Sequence, residues 1–378
     1  MNEQSARGLS AFELLAMSWS FENEAIHSVF SRDGKFAGFL LASGKLAIVR
    51  TADAESPDRR TSIDEETGRA SIRPRTIEPM APVMPDLTAV THLPFARCGE
   101  QGFVLACKDG TVCQVTARGH VIERVSSGNG PVTAFAGDLA GERLVFARAN
   151  EIFVLETGHD GPPTSLKLAH PVTCLSMHQD GGKVAAWGAG TASIVDVSKM
   201  PELLWSGVCK GDVTTMNWNR AATFIACGCA DKALLIVNCS NGSVQRIDSF
   251  PEQVRCAEFS QEGDALVASG AFRLVGWAAS DLPQSDEPGT PLASGKVGFV
   301  VIDMIAAHPA KALVAAGYQN GMIMVTGIGK PDELLLRNAP NEPVTTLSWS
   351  PDGKHLSVGD NVGNCSIVTF PDQMFKQA

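Results

Sequence analysis

The sequence predicts an all-β fold: a β-propeller, most simply one of eight four-stranded blades, closed into a ring by its own N-terminal strand. Three observations carry this. A single three-strand plan recurs along the chain. The recurrences are about 40 residues apart. The first strand has no motif before it, and the last motif has no fourth strand after it.

The plan is clearest in five segments beginning at Pro131, Pro171, Asp212, Gln253 and Pro343. Each opens with Val-x-x, passes a polar turn, and enters a strand of small apolar residues (LVFA, VAAW, FIAC, LVAS, LSVG). A second tight turn leads to a third strand rich in Val and Ile. Short apolar runs bounded by Gly, Asp and Asn are the signature of buried strands joined by turns. The anchors Val132, Val172, Val213 and Val254 stand 40, 41 and 41 residues apart. Less regular copies begin at Ala25, Asp86 and Val300. Fourth strands fill the gaps as HVIERV, TSLKL, ELLWSGV, SVQRI and ELLLR. Glu13–Phe21 is the unpaired strand, and its pairing with the final motif would close the ring and remove two sheet edges. The count is eight motifs. Because the first two are the least regular, seven blades with one displaced hairpin is the alternative. The whole chain, 1–378, reads as one propeller domain.

The pattern resembles the WD-repeat family over nearly the whole chain. Asp109 and Asp231 keep an acidic residue in the second turn, and Ser350–Gly353 (SPDG) keeps the first. The departures are that no third strand ends in Trp-Asp and no Gly-His pair precedes a motif. The resemblance implies the fold, together with a role in holding other proteins, and it transfers no binding residue.

Two polar segments interrupt the period. Residues 51–80 are charged and Pro-containing, which predicts a mobile loop over much of their length. Residues 280–291 are similar but shorter. Both follow a third strand and precede a fourth, so both leave the face opposite the second turns. They read as tolerated surface insertions or as partner contacts.

Aligning the motifs places Lys108, Arg148, Trp187, Cys229, Asp231, Lys232, Phe272, Arg273, Tyr318 and Asp360 on the top face, formed by the second turns and the entries to first strands. Trp187, Phe272 and Tyr318, with Arg148, Arg273, Lys108, Asp231, Lys232 and Asp360 around them, make a candidate partner-binding surface, because aromatics beside Arg are good interface anchors. The alternative is that Trp187 packs between blades and Phe272 covers a blade end. His27, Arg255, Glu258 and Asp303 fall on first strands, which line the central channel. A solvated channel or structural ion pair accounts for them, with a small ligand at the mouth as the second reading.

Other function classes lack support. The net charge is −10 and Lys and Arg form no stripe, which argues against nucleic acid and an anionic membrane surface. There is no h-region for a signal peptide and no apolar run long enough to span a bilayer. Ten scattered cysteines, mostly in apolar strands, read as small buried hydrophobes of a reducing, cytoplasmic protein. Cys227-x-Cys229 has no second ligand pair, so no metal or other cofactor is assigned. No GxSxG elbow, Walker loop or HExxH is present. The expectation is a non-enzymatic scaffold for partner proteins or peptides, with an accessory protein binding a metal ion or small ligand at the channel mouth as the alternative. No element of the sequence specifies an oligomeric state.

Overall fold

The structure, a computed structural model, describes residues 9–63, 70–87, 90–128, 130–159, 161–284, 287–372, 374 and 375. It is a ring of eight antiparallel blades. Blades 2, 3, 4, 5 and 7 are complete four-stranded sheets in sequence order. Their outer strands are Val121–Val125, Thr164–Lys167, Glu202–Val208, Val244–Ile247 and Glu333–Arg337, the five fourth strands that the spacing predicts. Blade 8 combines Val344–Trp349, His355–Asp360 and Asn364–Thr369 with the N-terminal strand Ala16–Ser20, which pairs from Ala16↔Val368 to Ser20↔Asn364. The ring is therefore closed by strands from the two ends of the chain.

Blades 1 and 6 keep three strands each, and an isolated bridge or two stands in for the fourth. In blade 1, Val83 exchanges backbone hydrogen bonds with Ile48 at 2.8 and 2.9 Å. In blade 6, Pro291 and Ser294 bridge Trp277 and Leu274. These are the two blades whose third and fourth strands are separated by the polar insertions.

The apolar core is divided into eight clusters among the described residues, one between each pair of neighbouring blades. Strand alternation produces this. In Lys183–Gly188, Val184 and Ala186 face blade 3 while Ala185 and Trp187 face blade 5. A second strand is thus buried on both faces, which is why these segments read as unbroken small apolar runs. Eight clusters are what eight blades require, and this settles the count against seven.

Two local expectations change. Glu13–Phe21 is not strand throughout: Ala11–Leu15 is a short helix, and the strand begins at Ala16. The cause is a capping box, in which Ser10 Oγ accepts from Glu13 N and Glu13 Oε2 accepts from Ser10 N at 2.7 Å. The described part of the 51–80 insertion is built rather than loose. It carries a helical turn, Pro57–Arg60, and a hairpin of Thr61–Ile63 with Ala70–Ile72. Arg75 makes a two-pronged ion pair with Asp53. Glu55 accepts from the backbone of Thr76 and Ile77, which holds its carboxyl down at about 2. Arg60 is buried and donates to the carbonyls of Glu55, Arg73 and Leu14 at 2.7, 2.6 and 2.5 Å. Its bond to Leu14 caps the N-terminal helix. Trp19 Nε1 donates to Met80 O at 2.8 Å, so the insertion holds both the closing strand and the helix before it. No helix among the described residues is long and apolar enough to cross a membrane.

Candidate functional site

The top face is made by the turns between second and third strands and by the chain entering each first strand. The structure sorts the nine predicted residues there by what each is already bound to. Trp187 and Tyr318 are buried, at 8% and 5% exposure. Trp187 packs in the core between blades 4 and 5, and Tyr318 in that between blades 6 and 7. Burial also pushes the Tyr318 phenol up to about 12. Neither is a surface anchor, because each ends a second strand whose side chains lie between sheets.

Asp360 is fully buried and is not a surface residue either. Its carboxylate accepts from Asn364 N at 2.8 Å and pairs with Arg337 of blade 7 at 3.3 Å. It is a structural node between two blades. Arg148 is half-buried and is likewise consumed internally. It donates to Gly110 O at 2.8 Å and Ser126 O at 3.1 Å, and its guanidinium lies over Phe146 and Phe153.

Asp231 and Lys232 are exposed but partnered, Asp231 with Arg246 at 3.0 Å and Lys232 with Glu252 at 3.4 Å. Cys229 is buried with Cys174, Cys209, Cys227 and Cys239 in or against the core between blades 4 and 5. Burial raises these thiols, Cys209 to about 11 and Cys229 to about 12, as expected of inert apolar packing. No group of three or more His, Cys, Asp or Glu among the described residues is arranged to hold a metal ion.

Three of the nine remain available: Lys108, Phe272 and Arg273. Phe272 and Arg273 form the second turn of blade 6, and Phe272 is 40% exposed. Beside them lies a residue absent from the sequence-derived site. Gly298 N donates to Phe272 O at 2.9 Å, which fixes the segment Lys296–Val301 against this turn. Within it Phe299 is fully exposed, at 101%, and Val297 at 69%. Phe272, Val297 and Phe299 thus form an apolar rim with Arg273, and Arg273 has no ion-pair partner among the described residues. The available signal was the apolar stretch Val297–Val301 lying ahead of the strand Ile302–Ala307, longer than the Val-x-x entry of the other motifs.

The channel brings together the residues predicted to line it, but at two separate mouths. The upper mouth is a cavity of about 500 Å³ with His27, His92, Arg255 and Asp303 in its wall. Arg255 lies 3.9 Å from Asp303, whose other partner is Gln319 at 3.1 Å. Burial lowers the His27 imidazole and raises the Asp303 carboxyl, so both are biased toward the neutral form. At the lower mouth, Glu258 accepts from Ala307 N at 2.8 Å, and burial pushes its carboxyl up to about 7.

A family model described as "WD domain, G-beta repeat" matches residues 334–367, which run from the outer strand of blade 7 through most of blade 8. The chain is 27% identical over 174 residues to the Poly(A)+ RNA export protein of Schizosaccharomyces pombe, covering 44% of this chain and 47% of that protein. It is 24% identical over 176 residues to eukaryotic translation initiation factor 3 subunit I of Neurospora crassa, covering 43% and 49%. Each match spans about half the length of the relative. Among solved structures, the C-terminal WD40 domain of Sif2 superposes with a TM-score of 0.64 at 12% identity, covering 95% of this chain and 98% of that one.

Proposed function

The chain is a divergent WD-repeat β-propeller, and from that premise we propose that it is a scaffold that holds a partner protein or peptide on its top face, at the rim formed by Phe272, Arg273, Val297 and Phe299. The fold supports an interaction scaffold in general. The observation that carries the specific reading is Phe299, fully exposed beside a second exposed Phe on the rim of a rigid ring. Burying such a side chain at an interface is worth about 2–3 kcal/mol, and the ring gives up little conformational freedom in doing so. Arg273 supplies a donor fork for a carboxylate or carbonyl of the partner. The same reading places the protein in the cytoplasm, a reducing compartment where its ten free cysteines stay thiols.

The test is affinity capture with the wild-type protein and with Phe299→Asp/Phe272→Ser. The expected result is a stoichiometric partner held by the wild type and lost from the variant, with the two melting temperatures alike. Equal capture by both would remove this rim as the site.

A second reading has its own observation. The upper mouth holds Arg255 and Asp303 facing a cavity of about 500 Å³, large enough for a small polar ligand. It predicts that Arg255→Ala abolishes binding of that ligand and leaves capture by the rim unchanged.

A further inference from the structure

The lower mouth of the channel holds two charged groups that have no counter-ion among the described residues. Arg97 stands on the first strand of blade 2, Ala96–Cys98, and Glu258 on that of blade 6, Ala257–Ser260. In a ring of eight, those two blades lie opposite one another. Both side chains line one cavity of about 390 Å³, and the rest of its wall is mostly apolar, with Leu139, Leu347, Trp349 and Pro351. Arg32 is the third charged side chain in that wall, and it is already paired with Glu142 at 3.1 Å.

The backbone satisfies only part of each group. Arg97 Nε donates to Phe30 O at 2.8 Å and Nη1 to Leu139 O at 3.3 Å, which leaves Nη2 without a partner among the described residues. No described carboxylate lies within ion-pair distance of it. Asp138, whose charge acts on Arg97 from further off, accepts from Glu142 N at 2.9 Å instead. Burial pushes the Arg97 guanidinium down to about 10, an effect that Asp138 only partly offsets. Glu258 accepts from Ala307 N through Oε2, and its Oε1 has no partner among the described residues.

We propose that the lower mouth binds a small zwitterion of the amino-acid class, its carboxylate on Arg97, its ammonium on Glu258 and its carbon chain against the apolar wall. A guanidinium fork matches a carboxylate, and a charge taken out of water is costly until an opposite charge meets it. A simple anion would answer Arg97 alone, and a simple cation Glu258 alone. A ligand carrying both charges serves both walls, and the cavity is large enough for one. The site lies at the other end of the channel from Arg255 and Asp303, and away from the rim around Phe299, so it depends on neither.

The test is titration calorimetry of the full chain with glycine, 4-aminobutyrate and 6-aminohexanoate, which set the two charges progressively further apart. Acetate and methylamine are the single-charge controls. The best zwitterion is expected to bind with a dissociation constant on the order of 100 µM, at least about tenfold tighter than either control. Arg97→Lys keeps the charge and loses the fork. Glu258→Gln keeps an acceptor for Ala307 N, and so should keep the melting temperature. Each should weaken the best probe by about tenfold or more. The ionisable groups around Glu258 are Cys256 on its own strand and Arg97 and Arg32 across the cavity, while blades 5, 7 and 8 face it with none among the described lining residues. Burial holds its carboxyl at about 7, and an ammonium is attracted to the ionised form. Affinity should therefore rise with pH from about 6 to about 8 and then level off. No binding of any of the three zwitterions at about 10 mM overturns the proposal. So does acetate binding as tightly as the best of them, an affinity that falls over that pH range, or one that Glu258→Gln leaves unchanged.

Discussion

The second turns of blades 8 and 6 occupy equivalent places on the ring and are used in opposite ways. In blade 8 the turn is drawn inward: Asp360 is fully buried, organises Val362 and Asn364, and ties Arg337 of the neighbouring blade. In blade 6 the same turn presents Phe272 outward and leans on a chain that carries Phe299 into solvent. Blade 8 has a complete four-stranded sheet, whereas blade 6 has three strands and two bridges. The regular blade spends its polar turn residues on the fold. The irregular blade leaves Phe272 and Phe299 in solvent and Arg273 without an ion-pair partner among the described residues.

Substitutions can break this contrast. The largest effect is expected from Asp360→Ala, which strands the Arg337 guanidinium at 11% exposure without its carboxylate. The loss should be about 3–5 kcal/mol by denaturant unfolding. Asp231→Ala sharpens the point, since its pair with Arg246 is 42% and 31% exposed. Its removal should cost less than about 1 kcal/mol.

Next is Arg60→Ala, which takes three carbonyls' donor from beneath the ring closure. A cost of about 2–3 kcal/mol is expected, with faster hydrogen exchange in Ala16–Ser20 than in the other strands. Uniformly faster exchange in all blades would deny the insertion its role as a clasp.

A smaller effect concerns pH. Burial holds the Glu258 carboxyl at about 7, above its ordinary 4.5. Between those values the folded state binds more protons than the unfolded one, so stability falls as pH rises from 4.5 to 7. Glu258→Gln should flatten that slope across the window. An unchanged slope would place the titration elsewhere. Phe299→Asp should change stability least, by under about 0.5 kcal/mol.

The blade architecture was legible because it is written in alternation and spacing. All five complete outer strands and the closing pair could be read from apolar runs between turn residues. Fates within a turn were less legible. Asp231 and Asp360 look alike in sequence, and what separates them is how deeply each is set beside its arginine, Arg246 or Arg337. Trp187 and Tyr318 looked like anchors because they end second strands, yet the ends of those strands still lie between sheets. The helix at Ala11–Leu15 was signalled by Ser10 and Glu13, but the apolar content of ELLAMSWSF masked it. Phe299 was hidden because, among the described residues, blade 6 has no regular fourth strand to mark where the next blade begins.

The central claim is that the rim around Phe299 is where the scaffold holds its partner. The most direct measurement replaces Phe299 with a photo-crosslinking phenylalanine analogue, and places the same analogue at Leu139, which is 54% exposed on the opposite face. Illumination should yield one discrete adduct to a partner protein from position 299 and none from position 139. The same adducts from both positions, or none from 299, would contradict the account.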